Sequence, residues 1–348
     1  MDSITQFALG AAIGELVAGR KAGYRGWLWG GIAGTIPDLD VVLSPWLTDL
    51  QKLSVHRGIS HSLVFPVLVA PLLAWLVWKL HRSKSQVSFN TWLHLFFWGI
   101  FTHPLLDSLT LYGTQLFLPF SDYRVALNTI SIVDPLYTLP LIVCTIRSAT
   151  LRKRGRMERS ISMVKRGLYL SSAYLLLTAA NKIQVDHRFE QAFAQQGIQS
   201  ECWLTNPVLF SNLLWYTVTV DDSICRIGYL SVLRPDDPIR FETYPRLTQL
   251  EAKIADQTGL ERLKWFSKGF YVMEEQKNGL GFYDIRFGKT DLDNYNGNEQ
   301  TFVFYFRLPE PESKPLVIQQ TIARAEADFG ALFEQIHQRI FYGIPVKP

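Results

Sequence analysis

Long apolar segments fill the chain up to about residue 182. Four of them approach the roughly 17–25 residues that a membrane-spanning helix needs, at residues 62–80, 92–110, 130–147 and 167–182. Two more apolar segments precede them, at residues 4–19 and 26–43. The pattern predicts an all-α polytopic helical bundle, in which the first two segments either cross the membrane or are re-entrant.

The first two apolar segments are rich in glycine at a spacing of four residues. Gly10 and Gly14 lie in the first segment, and Gly26, Gly30 and Gly34 lie in the second. Small residues at this spacing let two apolar helices approach closely. We therefore expect these segments to pack closely.

From residue 183 the pattern changes to shorter runs of mixed polarity. Strand-like runs occur at residues 213–220, 224–233, 268–275, 280–287 and 300–308. Helical patterns occur at residues 246–256 and 318–338. The sequence thus predicts a transmembrane domain over residues 1–182, followed by a soluble α+β domain over residues 183–348.

Charge is divided between the two halves of the chain. Residues 1–166 carry a net charge of +8 and residues 167–348 a net charge of −4, which together give the +4 of the whole chain. Because the basic residues lie beside apolar segments, we expect a partner in the lipid bilayer and no nucleic-acid partner. Three cysteines in 348 residues exclude a disulfide-dense scaffold.

Lysine and arginine also predict the orientation of the bundle. They concentrate in the loops at residues 79–91 and 147–166, and such loops favour the cytoplasmic side. The loops at residues 44–61 and 111–129 then face the opposite side, as does everything beyond residue 182. The sequence predicts a multi-pass protein of the inner membrane with an extracytoplasmic C-terminal domain.

A few ionisable residues lie inside or beside the apolar segments, where a charge needs a partner or a task. They are Asp38 and Asp40 at the end of the second segment, His56, Arg57 and His61 before the third, His103 and Asp107 at the end of the fourth, and Asp134 at the start of the fifth. In the six-span arrangement all of them reach the extracytoplasmic face.

Such convergence at one membrane face is what a metal centre requires. Imidazole nitrogens and carboxylate oxygens are suitable ligands for Zn²⁺ or a related divalent metal. The predicted metal ligands are Asp38, Asp40, His56, His61, His103 and Asp107.

Structural roles are open for the same residues. Asp38 or Asp40 could cap a helix or pair with Arg57, and His103 with Asp107 could form a buried hydrogen-bonded pair. The aromatic loop at residues 110–121 could form a substrate lip or an interfacial aromatic belt.

Three motifs within the first 135 residues or so resemble those of a known family. They are Pro37-Asp38-Leu39-Asp40, the run from His56 through Ser62 (His-Arg-Gly-Ile-Ser-His-Ser), and His103 followed four residues later by Asp107. On these motifs the chain resembles the YdjM-like family of inner-membrane-associated metal-dependent hydrolases, also described as LexA-binding. The resemblance implies a distant relation to zinc-dependent phospholipase C and P1-type nucleases, all-α enzymes whose metals activate water against a phosphoester.

One position departs from the family pattern. Gln6 stands where members of the family often place a histidine, so a site with fewer metals, or one that uses Asp2, becomes an alternative.

The motifs lead to a hypothesis of a membrane-bound metal-dependent hydrolase of a lipid-like phosphoester. Arg57 would pair with the phosphate or with a ligand carboxylate, and Asp134 would act as a base or orient a ligand. The alternative is a non-enzymatic membrane binding or regulatory protein with a structural metal or a polar cluster.

Overall fold

The chain forms two compact units in the computed structural model. The first unit contains Met1–Pro45 and Val55–Ala179, and the second contains Trp46–Ser54 and Ala180–Pro348. All of the predicted metal ligands belong to the first unit. The residues that the structure describes are 1–83, 86–200, 202–292, 302–322 and 329–343.

The N-terminal region is mostly helical, which confirms the prediction from its apolar pattern. Its helices are α1 (Ser3–Ala22), α2 (Tyr24–Thr35), α3 (Asp49–Val55), α4 (Val64–His81), α5 (Phe89–Ser108), α6 (Pro135–Lys153) and α7 (Met157–Gln195). Two 3₁₀ segments, Pro37–Trp46 and Ile59–His61, lie between these helices. Lys84, in the predicted loop at residues 79–91, lies outside the described residues.

The second apolar segment is helical over a shorter range than the predicted residues 26–43. Helix α2 ends at Thr35, and the chain continues from Pro37 as a 3₁₀ segment. Proline has no backbone N–H and its ring collides with the preceding helical turn, so the α-helical hydrogen bonds cannot continue through it. This break separates Asp38 and Asp40 from the helix that precedes them.

Helix α7 is much longer than the predicted span at residues 167–182. It begins at Met157, soon after the turn at Gly155, and continues to Gln195. Its last part buries Val185, Phe189 and Phe193, which recur at intervals of four residues on one helix face. The predicted span is therefore the middle of a helix whose end belongs to the second unit.

Among the described residues, one helix is long and apolar enough to cross a membrane by length and composition. That helix is α4, Val64–His81. The helices at the other predicted spans do not meet both the length and the composition criterion. The multi-pass arrangement therefore stays a prediction.

The glycine pattern places α1 and α2 in backbone contact, and the predicted close packing is confirmed. A Cβ atom added at Gly14 would lie 2.1 Å from the carbonyl oxygen of Gly26, and one added at Gly30 would lie 2.3 Å from that of Gly10. No side chain fits at these distances. The approach of α1 to α2 therefore depends on glycine at these positions.

The described residues of the second unit form two four-stranded antiparallel sheets. The first has the order β1 (Cys202–Pro207), β2 (Leu214–Val220), β3 (Ile224–Ser231), β4 (Phe241–Pro245), and the second has the order β5 (Tyr271–Gln276), β6 (Gly279–Asp284), β7 (Phe304–Leu308), β8 (Gln319–Ile322). Helices α8 (Gln257–Ser267) and α9 (Phe329–Phe341) complete it. Val218 of the first sheet, Val272 of the second and Ile336 of α9 share one core.

Several elements of the second unit differ from the sequence prediction. Strands β1, β4 and β8 and helix α8 were not predicted, and the predicted helix at residues 246–256 is a 3₁₀ segment over Thr248–Lys253. The predicted helix at residues 318–338 was wrong at its start, where β8 pairs with β7, and residues 323–328 lie outside the described residues. So do residues 300 and 301 of the strand predicted at residues 300–308. Cross-strand pairing, which no local pattern reports, makes short polar runs such as β8 into strands.

Candidate metal centre

Three separate parts of the first unit bring the candidate ligands together. Asp38 lies in the 3₁₀ segment after α2, and His61 ends the short 3₁₀ turn before α4. His103 and Asp107 lie one turn apart on α5, so their side chains leave the same face of the helix. These four residues form the one group of potential metal ligands found within the described part of the chain, and we call it the His/Asp cluster.

The histidine nitrogens of the His/Asp cluster lie at nearly tetrahedral distances from each other and from the two carboxylates. Nε2 of His61 and Nε2 of His103 are 3.1 Å apart, and they lie 3.5 and 3.4 Å from Oδ1 of Asp38. Their distances to Oδ2 of Asp107 are 3.6 and 3.7 Å. Bonds of about 2.0–2.2 Å, as in zinc sites, require tetrahedral edges of about 3.3–3.6 Å. Five of the six distances are thus close to tetrahedral edges, and the sixth, between the two carboxylates, lies within 4.8 Å.

The hydrogen bonds of the two histidines direct their lone pairs at one another. Nδ1 of His103 lies 2.6 Å from the carbonyl oxygen of Gly34, which can only accept, so this nitrogen carries the proton. Nδ1 of His61 contacts the Ser60 hydroxyl, whose own hydrogen goes to Asp40. Both Nε2 atoms are then unprotonated, and a cation between them would remove their repulsion. A metal thus fits the ligand set that these residues offer.

Burial keeps His61 in the form that binds metals. The side chain is fully buried, and burial lowers the pKa of His61 to about 4, although the carboxylate of Asp38 acts in the opposite direction. Metal ligation by histidine needs the neutral imidazole. At neutral pH, His61 therefore offers its Nε2 lone pair without first losing a proton.

Asp107 keeps one carboxylate oxygen for the cluster. Its Oδ1 accepts a hydrogen bond of 2.9 Å from Nε2 of Gln6 and forms an ion pair with the amino group of Met1. Its Oδ2 is buried without a hydrogen-bond partner, although Nε of Arg57 lies 3.1 Å away. A buried carboxylate oxygen without a hydrogen bond is costly, and a metal ion would satisfy it.

Asp40 and His56, both predicted as ligands, lie beside the His/Asp cluster instead of within it. Oδ2 of Asp40 accepts hydrogen bonds from the backbone N–H of Arg57 and from the hydroxyl of Ser60, and Oδ1 lies 3.0 Å from Nδ1 of His56. Asp40 thus holds the turn that carries His61. In this arrangement its carboxylate orients a ligand through Ser60.

Arg57 is placed by an unusual backbone conformation. Its φ of 57° lies in the left-handed region, and its side chain is buried. The guanidinium donates to the hydroxyl of Thr110 and stands 4.8 Å from the centre of the Tyr112 ring, whose centre is 5.0 Å from the guanidinium of Arg124. The positive charge of Arg57 lies close to the metal ligands, because its guanidinium forms a buried ion pair with Asp107 at 3.1 Å.

The remaining predicted residues have structural contacts. Asp134 caps α6 by accepting from the backbone N–H groups of Leu136 and Tyr137, and its other oxygen accepts from the hydroxyl of Tyr174. Asp2 caps α1. No hydrogen bond or ion pair described for either carboxylate joins it to the His/Asp cluster.

The carbonyl of Gly34 and the amide of Gln6 are functional contacts that the sequence reasoning did not assign. The carbonyl belongs to the last turn of α2, where helical carbonyls lack an intrahelical partner. Pro37, three residues later, has no backbone N–H to donate, so it indicates from the sequence that a carbonyl in this turn lacks its partner. Gln6, at the position where the family often has a histidine, contacts the His/Asp cluster through its amide nitrogen, which donates to Oδ1 of Asp107.

Comparison with known proteins matches mainly the first unit. A family model described as the YdjM inner membrane protein matches residues 1–185, more than half of the chain. The uncharacterized protein YfhP of Bacillus subtilis (strain 168) is 30% identical over 148 residues, which are 39% of this chain and 42% of YfhP. The match thus spans less than half of this relative. No solved structure matches the chain significantly, and the relation to zinc-dependent phospholipase C stays a prediction.

Proposed function

Because the chain belongs to the YdjM inner membrane protein family, and is thereby a membrane protein, we propose that it is a membrane-bound metal-dependent hydrolase of a lipid-like phosphoester. The observation that carries the proposal is the His/Asp cluster, in which the ligand atoms of two imidazoles and two carboxylates all lie within 4.8 Å of one another. Zinc is the metal we propose, because it accepts nitrogen and oxygen ligands in this geometry.

The residues of the site would divide the work of hydrolysis. His61, His103, Asp38 and Asp107 would hold the metal. A divalent metal bound there supplies Lewis acidity and lowers the pKa of its water to about 7. Arg57 would bind a phosphate oxygen, since a guanidinium matches the geometry and charge of a phosphate. Asp38, whose side chain is 22% exposed, is the solvent-accessible ligand of the four and marks the side from which substrate would enter.

Exposed apolar side chains next to Asp38 support a lipid-like substrate. Leu39, Val41, Val42 and Leu43 are each more than half exposed and directly follow or flank the two aspartates. Phe120, in the loop after α5, is also exposed. Apolar residues beside a site for a phosphoester would contact acyl chains while the phosphate reaches the metal. For the loop at residues 110–121, this arrangement favours the role of a substrate lip over that of an interfacial aromatic belt.

A specific observation favours the alternative, a non-enzymatic membrane protein with a structural metal. Four protein side chains are available as ligands, as in structural zinc sites, whereas catalytic sites usually have three protein ligands and keep one position for water or substrate. Hydrolysis would require a fifth position or the displacement of one ligand. Asp38 is the ligand best suited to move, because the other three are fully buried.

Hydrolysis tests the two functions directly. We expect the zinc-loaded full chain in detergent to release phosphate or headgroup from phospholipid in mixed micelles, and the chelator-treated protein to release none. Replacing Arg57 by glutamine should lower kcat/KM by about 100-fold at unchanged zinc content, because a positive charge opposite the developing phosphate charge is lost. The variant Arg57→Lys should recover part of this loss.

The control is a lipid-free phosphodiester, which separates chemistry from lipid recognition. Cleavage of that compound alone would keep the hydrolase and reject the lipid-like substrate. A folded, zinc-loaded protein that cleaves neither substrate class would reject the hydrolase and favour the structural metal.

The multi-pass topology with an extracytoplasmic C-terminus is part of the proposal. It is supported by the basic residues of the loops at residues 79–91 and 147–166. Reporter fusions after residues 85, 120, 156 and 348 should report inside, outside, inside and outside. A cytoplasmic reporter at residue 348 would contradict the six-span arrangement and move the proposed metal centre to the other membrane face.

A further inference from the structure

A cavity of about 310 Å³ lies between the end of α6 and the start of α7. Four arginines line it, namely Arg147 on α6, Arg156 in the turn, and Arg159 and Arg166 on α7. Leu151 and Met163 form an apolar part of the wall. The cavity is therefore strongly basic around a small apolar surface.

These four arginines differ from their neighbours in having no acidic partner. Nearby, Arg152 forms a buried ion pair with Glu15, and Arg20 pairs with Glu158 at 2.8 Å. Within the described part of the chain, none of the four guanidinium groups that line the cavity takes part in an ion pair or a side-chain hydrogen bond. The carboxylates near the cavity are thus already used, and an anion from outside the chain can neutralise its charge.

Exposed apolar side chains continue from the cavity along both helices. Val143 and Arg147 are four residues apart on α6, and Arg166 and Leu170 are four residues apart on α7, so each pair shares a helix face. Val143 and Leu170 are both more than half exposed. A ligand with a charged head in the cavity could therefore lay an apolar chain along these residues.

We propose that this cavity binds the phosphodiester headgroup of an anionic phospholipid. The basic groups supply charge and bidentate donors for the phosphate, and Val143 and Leu170 supply contact for its acyl chains. An inorganic phosphate has the same charged group without the chains, so it uses only part of this surface. The basic loop at residues 147–166 favours the cytoplasmic leaflet as the source of the lipid.

This lipid site is separate from the His/Asp cluster and does not depend on the proposed hydrolase function. Helix α1 passes both sites. Near its start, Gln6 contacts Asp107 of the His/Asp cluster. Near its end, the carbonyl of Gly19 accepts a 2.7 Å hydrogen bond from Arg152, which is next to Leu151 of the cavity wall. Thirteen residues of helix correspond to about 20 Å. The lipid in this cavity therefore has a role distinct from that of a substrate.

Native mass spectrometry of the purified full chain in neutral detergent tests the proposal. Phosphatidylglycerol, titrated against phosphatidylcholine, should bind preferentially and with one saturable high-affinity site. The double variant Arg147→Gln, Arg159→Gln should bind phosphatidylglycerol about 30-fold more weakly, because each arginine near an anionic lipid strengthens binding about fivefold. An excess of inorganic phosphate should displace the lipid only weakly.

The matched control is Lys153→Gln, Arg154→Gln, which removes the same charge from exposed residues of the same turn that do not line the cavity. It should change phosphatidylglycerol affinity by less than about threefold. Equal losses in the two double variants, or no preference for phosphatidylglycerol, would overturn the proposal. So would inorganic phosphate that binds as tightly as the lipid. If the lining variant elutes as aggregate, the single variant Arg159→Gln replaces it, with an expected loss of about fivefold, and Arg154→Gln becomes its control.

Discussion

Replacing His103 by alanine is expected to abolish metal binding by the folded protein. The variant removes the Nε2 atom that lies 3.1–3.7 Å from the other three ligand atoms, and it leaves the buried Oδ2 of Asp107 with Arg57 as its cation instead of the metal. Loss of a direct ligand should weaken metal binding by more than the about 10–100-fold that removal of an outer hydrogen-bond partner causes. Elemental analysis of detergent-purified protein, after equilibration with zinc, measures the effect.

His56→Ala is the matched control, because His56 belongs to the same motif but lies outside the cluster. It should keep nearly the full metal content of the unsubstituted protein. Asp40→Asn should fall between the two, with about 10–100-fold weaker binding, since Asp40 orients His61 through Ser60. Complete loss of metal from folded His56→Ala would show that the ligand set is wrong. No metal in the unsubstituted, zinc-equilibrated protein would reject the centre itself.

Substituting Gly14 by alanine should destabilise the helical unit by about 3 kcal/mol or more. The added Cβ would lie 2.1 Å from the carbonyl oxygen of Gly26 and 2.7 Å from Cα of Gly30, and both are backbone atoms that cannot rotate away. The two helices must separate to accept it. Chemical or thermal unfolding in detergent should show the loss.

The same substitution should also weaken metal binding at a distance. Helix α1 holds Asp107 through Gln6, and α2 holds His103 through the carbonyl of Gly34, so separation of α1 from α2 disturbs both ligands. Gly23→Ala is the control in the turn between these helices. No atom lies within 4 Å of its added Cβ, so the variant should cost only the strain of its backbone (φ 65°, ψ −140°), about 1–3 kcal/mol, and keep the metal. Equal loss of metal binding in the two variants would contradict the role of the close packing of α1 and α2.

The existence of the helices could be predicted because it depends on local composition. A continuous apolar run such as Val64–His81 favours a helix whatever the rest of the chain packs against it. The ends were less predictable. Helix α7 continues to Gln195 because Val185, Phe189 and Phe193 are buried in a core of the second unit. The other residues of that core are distant in sequence.

In the second unit, strands with strong alternation could be recognised, whereas β1, β4 and β8 could not. Strand β1 ends in Asn206 and Pro207, residues that disfavour strands, yet it pairs with β2 along its full length. The partner strand supplies hydrogen bonds that the local sequence does not report. Non-local pairing therefore decided these elements.

For the site, the residue types that meet could be predicted from the sequence. So could the shared face of His103 and Asp107, because a helix brings side chains four apart together. The sequence did not decide between Asp38 and Asp40. In a 3₁₀ segment, with three residues per turn, side chains two apart point about 120° apart, so only one of the pair can enter the cluster. Likewise, the turn at Arg57 directs His61 inward and leaves His56 beside Asp40. The tertiary structure selected the ligands, because backbone direction at these turns depends on contacts made across the fold.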